Sequence, residues 1–194
     1  MLEFKLDASN IVVFLSGIFE RLGAENYLGE NVSTADHMLQ GAALAEKSGA
    51  SEELIAAILL HDVGHFTSEF GTYSSDDIQD KYHDTAGGEL LEPFFPQRVS
   101  ECVRLHVAAK RYLCAKEPAY FDQLSKASVH TLLLQGGPMS KGEVAEFETN
   151  TYYQDAVKVR KWDDFGKAAG VKTKTFSDYS EMLQNIVDLH CNSA

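Results

Sequence analysis

The chain has 194 residues, 44% of them hydrophobic, and its 17 Lys and Arg against 29 Asp and Glu give a formal net charge of −12 at pH 7. That apolar content is enough for one core of ordinary size and predicts a single domain over residues 1–194. The negative charge argues against non-specific binding to nucleic acid or to anionic membrane, both of which need a basic face.

Apolar residues recur at intervals of three and four in NIVVFLSGIFERLG (10–23), TADHMLQGAALAEKSG (34–49) and SEELIAAILLHD (51–62). This spacing predicts three helices, with Asn10, Ser33 and Ser51 placed as caps and Gly23 and Gly49 as stops. The same rule predicts helices over 80–92, 96–113, 117–134, 140–149, 151–168 and 177–191. Only VKTKTFS (171–177) alternates as a short strand would. The expected fold class is all-α. No apolar run approaches the ~20 residues of a membrane span, and the N-terminus MLEFKLDASN lacks a charged-then-apolar signal pattern, so a cytoplasmic protein with no membrane partner is expected. Cys102, Cys114 and Cys191 show no C-x-x-C spacing and read as ordinary reduced thiols.

Seven histidines punctuate these helices. His130 and His190 read as ordinary surface or core residues. His37, His61, His65, His83 and His106 lie within or beside apolar segments, and His37 and His61 adjoin Asp36 and Asp62. A carboxylate among several imidazoles is a ligand set that iron, manganese or zinc prefers. The order His37, His61–Asp62, His83, His106, Asp163 resembles the metal-binding signature of the HD-domain superfamily, an all-α fold with one or two metals at its centre. The resemblance runs from about residue 27 to 168. In two-metal members it implies that His37, His61, Asp62 and Asp163 hold one metal and Asp62, His83 and His106 the other, with Asp62 bridging. Adjacent residues on a helix point about 100° apart, so His61 can serve one metal while Asp62 reaches both.

Most of that superfamily hydrolyses phosphate esters, which makes a metal-dependent phosphohydrolase one reading. The stretches NYLGE (26–30), HVAAKRYLC (106–114), LQGGPMS (134–140) and RKWDDFGK (160–167) are more specifically similar to the mixed-valent di-iron oxygenases of organophosphonate breakdown. This resemblance implies two iron ions as an Fe(II)/Fe(III) pair, O2 as co-substrate and a small phosphonate as substrate. Cleavage of its C–P bond would release phosphate together with glycine betaine from 1-hydroxy-2-(trimethylammonio)ethylphosphonate, or glycine from 2-amino-1-hydroxyethylphosphonate.

Residues one helical turn apart share a face, which pairs His61 with His65, His106 with Lys110, and Asp163 with Arg160 and Lys167. The resulting cationic cluster suits a phosphonate dianion, to which the resemblance adds the Ser128 hydroxyl. Asp163 matches the family pattern, and its neighbour Asp164 would face about 100° away. In NYLGE the resemblance implies that Glu30 occupies an iron position at rest, hydrogen-bonded by Tyr27, until substrate displaces both. HFTSEFGTYSSDD (65–77) supplies Phe66, Glu69, Phe70 and Tyr73, aromatic and acidic groups suited to a quaternary ammonium, and favours the trimethylated substrate.

Overall fold

The computed structural model describes residues 5–21, 31–67 and 76–193. Tyr27, Glu30, Glu69, Phe70, Tyr73 and the stop expected at Gly23 lie outside the described residues. Within them the chain forms helices α1 (Ile11–Arg21), α2 (Thr34–Lys47), α3 (Glu52–Leu60), α4 (Gly64–Thr67), α5 (His83–Leu91), α6 (Gln97–Lys116), α7 (Pro118–Phe121), α8 (Lys126–Leu134), α9 (Lys141–Phe147), α10 (Tyr153–Phe165) and α11 (Phe176–Ser193). The fold is all-α, and the described residues contain no β-strand. None of these helices is long and apolar enough to cross a membrane.

The architecture is organised around α3. Its run Leu54–Leu60 is buried on every side, as an all-apolar helix must be, and it packs against α2, α6, α10 and α11. Each large aliphatic side chain buried there contributes about 2 kcal/mol, so the helix that ends at His61 is anchored from all directions. One apolar cluster runs from Ile11 on α1 to Val187 on α11. A smaller one joins Ala109, Phe147 and Ala156.

Local signals explain most of the helix ends. Ser33 caps α2 by accepting the Asp36 N–H at 3.1 Å. At its other end Gly49 takes a left-handed φ of 73°, donating to the Glu46 carbonyl, while Ala50 donates to that of Ala45. This pair of bonds closes the last turn in a Schellman motif. Ser51 stands at the N-cap of α3 without a side-chain capping bond, its Oγ accepting from Arg98 Nη1 at 3.4 Å, and Asn10 instead accepts from Asp7 and donates to Lys5.

Three expectations are corrected. The alternating stretch 171–177 is not a strand. Among the described residues it has no partner to form a ladder with, and Asp178 turns back to accept the Thr175 N–H and hydroxyl at 2.7 and 2.8 Å, starting α11. The helix expected over 117–134 is two, because Ser125 accepts the Ser128 N–H at 3.2 Å and caps a new helix. The helix expected from residue 80 begins only at His83, since Tyr82 before it adopts φ 51°, ψ 37°.

Candidate metal centre and its pocket

The site begins where α3 ends. From Leu60 the backbone tightens into i to i+3 bonds, Val63 to Leu60, His65 to Asp62 and Phe66 to Val63, at 3.0–3.1 Å. His61 and His65 are therefore not on one continuous helix, contrary to the expectation from their spacing. The break depends on Gly64, where a Cβ would lie 1.8 Å from the His83 carbonyl oxygen and 2.6 Å from the Gly87 nitrogen. With no side chain there, α4 and α5 touch through their backbones, and the His65 and His83 rings stack at 4.0 Å with only 8° between planes.

All six proposed ligands meet at this point, each of them buried. Asp62 divides its carboxylate between two groups. Its Oδ2 lies 3.6 and 3.3 Å from Nε2 of His37 and His61, and its Oδ1 lies 3.5 and 3.6 Å from Nε2 of His83 and His106. Asp163 on α10 approaches the first group, its Oδ1 3.2 Å from His37 Nε2. His37, His61 and Asp62 form one compact donor set and Asp62, His83 and His106 a second. Asp164 turns away, as its position one residue along the helix requires.

The donor chemistry fits metal ions. Nδ1 of His37, His61 and His106 bonds the backbone carbonyls of Gly166, Ile58 and Val103 at 2.9, 2.8 and 2.7 Å, so in the neutral rings the proton sits on Nδ1 and the lone pair on Nε2. The Nε2 atoms then face each other in pairs, His37 to His61 at 3.2 Å and His83 to His106 at 3.1 Å. Between His37 and His61, both protonated on Nδ1, two lone pairs at that range repel, whereas nitrogens each about 2.1 Å from one metal and about 100° apart at it are naturally that close. Asp62 Oδ2 and Asp163 Oδ1 are also buried without a hydrogen-bond partner among the described residues, as oxygens reserved for a cation would be.

The electrostatics separate the two sets: burial opposes the charge on His61, but Asp62 and Asp163 outweigh it and raise that imidazole, whereas the histidines of the second set are pushed down. Burial opposes the charge on Asp62, but the His61, His65 and His83 imidazoles outweigh it and hold the carboxyl well below its usual range. Burial, aided by His61, pushes His106 down to about 3. His83 is pushed well below the ordinary imidazole value by burial, His65 and His106.

Beside the centre lies a small pocket. His65, Lys110, Ser128 and Arg160 line it, as do Thr131, Gln135 and Asp80, which sequence reasoning missed. Lys110 is 3% exposed and donates to Thr131 Oγ1 at 2.8 Å. Thr131 lies one turn after Ser128 on α8, a spacing that could have revealed it. Lys167 reaches Ser128 Oγ at 3.2 Å and Asp163 at 3.8 Å, although α10 ends at Phe165 and the helix-face argument for Lys167 does not hold. Arg160 bonds Asp163 Oδ2 through Nη1 at 2.5 Å, grips Asp164 through Nη2 and meets the Tyr120 hydroxyl through Nε at 3.1 Å. Tyr120 in turn donates to Asp164. No pattern in the sequence linked Tyr120 to this site, because α7 meets α10 only through the tertiary fold.

The family model described as HD domain matches residues 34–131. The chain belongs to the HD-domain family. Five of the six converging residues of this HD domain fall inside the matched span, with Asp163 beyond it. The HD-domain chain is 55% identical over 186 residues to the glycine-betaine-forming (1-hydroxy-2-(trimethylamino)ethyl)phosphonate dioxygenase of Leisingera caerulea, covering 96% of this chain and 95% of that one. It is 41% identical over 165 residues to the hydroxymethylphosphonate dioxygenase of Gimesia maris, covering 84% and 82%. A third relative, an uncharacterised protein of Acanthamoeba polyphaga mimivirus, is 33% identical over 86% of this chain and 77% of its own.

Proposed function

We propose that this HD domain, working as one unit over residues 1–194, is a di-iron dioxygenase that cleaves the C–P bond of 1-hydroxy-2-(trimethylammonio)ethylphosphonate. The observation that carries the reading is the 55% identity over nearly the full length to a relative of that activity, in a chain whose His/Asp cluster adjoins buried cations. His37, His61, Asp62 and Asp163 would hold one iron and Asp62, His83 and His106 the other. A mixed-valent iron pair, when bound, supplies the redox chemistry by which dioxygen oxidises the hydroxylated carbon.

The remaining work falls to the chain. The substrate and O2 become glycine betaine, hydrogen phosphate and one proton, so that carbon and phosphorus each gain one oxygen while the C–H and C–P bonds of the hydroxylated carbon break. The backbone carbonyls behind His37, His61 and His106 aim their Nε2 atoms inward. Lys110, Arg160, Lys167 and the Ser128 hydroxyl orient the phosphonate oxygens through charge-assisted hydrogen bonds. Burial keeps His65 below the ordinary imidazole value, so its ring is neutral near pH 7 and can direct one hydrogen bond at the substrate. Glu30 would take an iron position at rest, hydrogen-bonded by Tyr27, until substrate displaces both.

The deciding measurement is phosphate release from the trimethylated substrate by iron-loaded protein, with and without air. We expect stoichiometric glycine betaine and phosphate in air and neither under anaerobic conditions. Release unaffected by anaerobiosis, with zinc, manganese or magnesium in the active protein, would identify a phosphohydrolase instead.

A further inference from the structure

The charges lining the pocket are not evenly spread. Lys110 and Arg160, with Ser128 and Thr131, come from α6, α8 and α10, whereas the run that leads into α5 contributes Asp80 and Lys81. Lys81 is neutralised by Asp77 at 3.1 Å. Asp80 accepts one hydrogen bond, from the Tyr82 backbone N–H at 3.3 Å, and has no lysine or arginine partner among the described residues. The segments 22–30 and 68–75 add no lysine or arginine to the sequence that could pair with it. Apart from Asp62 and Asp163, Asp80 is the carboxylate among the described lining residues.

We propose that Asp80 is a specificity-determining residue that receives the ammonium end of the substrate, giving the pocket a cationic end for the phosphonate and an anionic end for the nitrogen. The inference rests on the phosphonate reading above and adds the group that recognises the other half of a zwitterion. A quaternary ammonium has no N–H to donate, so it needs a carboxylate and apolar surface rather than directed acceptors. An unpaired, partly buried Asp provides that charge at no cost in a competing ion pair. The backbone supports the placement. Tyr82 takes its left-handed conformation between Asp80 and His83, and the Tyr82 N–H holds the Asp80 carboxylate, which ties that carboxylate to the start of α5.

Anaerobic calorimetry on the iron-loaded full chain tests this without turnover. Two ligands are titrated, 1-hydroxy-2-(trimethylammonio)ethylphosphonate and hydroxymethylphosphonate, which lacks the ammonium. Asp80→Asn should weaken the first about fivefold, the scale of one partly exposed ion pair, and leave the second within about twofold. Asp80→Glu should restore most of the lost affinity. Equal weakening of both ligands, or no weakening of the first, would overturn the assignment. Normal discrimination by Asp80 in a protein that releases no phosphate in air would sink the oxygenase reading alone.

Discussion

His37, His61 and His106 are each fixed by a hydrogen bond from Nδ1 to a backbone carbonyl, whereas Lys110 and Arg160 across the pocket, and Lys167 beside its Ser128, are fixed by other side chains, Thr131, Tyr120 with Asp163 and Asp164, and Ser128. The two walls are thus preorganised by different means. The metal-facing wall is welded to the helices of the core, so disturbing it disturbs the fold. The anion-facing wall hangs on contacts between side chains, which can be removed one at a time with the helix left in place. This difference sets how far a substitution on either side should spread.

Asp62 is the extreme of the first wall, because both donor sets share its carboxylate. Asp62→Asn replaces one oxygen with an amide and should collapse iron content at both positions, with activity reduced at least about a hundredfold. Metal analysis beside kcat measures this. Retention of one iron would show that Asp62 serves only one set.

Gly64→Ala strikes the same wall through the backbone. The new Cβ would press on the His83 carbonyl and Gly87 nitrogen, which are backbone atoms and cannot swing aside. The expected cost is about 3 kcal/mol, read from thermal unfolding, with iron lost first from the His83–His106 set. Equal loss from both sets would mean that the centre is held as one body.

These cases show what was legible in the sequence. The helices and the central burial of LIAAILL follow from spacing, which is local, and ligand chemistry picks out the histidines beside apolar segments, while the full set of six, Asp163 included, is what the resemblance to the HD-domain signature implies. Gly64 was visible within the HDVGH run, but its purpose depends on α5 arriving from twenty residues away. Thr131 could have been found from its place one turn after Ser128, but Tyr120 and Asp80 left no such trace. Each contributes one polar group from an element whose approach only the packed structure reveals, and the strand expected at 171–177 failed for the same reason, since alternation says nothing about a partner.

On the second wall the largest effect should come from Lys110. Lys110→Met keeps the stem and removes the charge, so KM should rise about thirtyfold, equivalent to about 2 kcal/mol, with iron content unchanged. Burial, and then the charge of Arg160, pushes the Lys110 ammonium down to about 7. As pH rises through that value the lysine loses the charge the anion needs, and KM should climb. Stability runs the opposite way. The folded value is depressed, so the lysine's contribution is complete above the ordinary 10.5 and is lost as pH falls towards about 7, because the unfolded chain binds that proton more readily. Thermal unfolding of ligand-free protein should therefore shift upward between pH 7 and 10 relative to Lys110→Met. A parallel pH dependence in the two proteins would remove Lys110 as its source.

The smallest effect, and the finest test of the contrast between the walls, belongs to Tyr120. Its hydroxyl accepts from Arg160 Nε and donates to Asp164, and burial followed by Asp164 holds the phenol protonated. Tyr120→Phe deletes that one oxygen, keeps the buried ring and leaves Arg160 gripping Asp163 and Asp164. Both of its bonds go, but the one from Arg160 is the one that bears on the pocket; losing it costs about 1 kcal/mol, so KM should rise about fivefold while kcat and iron content stay level. Arg160 touches both walls, the phosphonate side by lining the pocket and the metal side through Asp163. If Tyr120→Phe instead lowers iron content and kcat with KM unchanged, the guanidinium acts chiefly on the Asp163 carboxylate, and Arg160 belongs with the metal-facing wall.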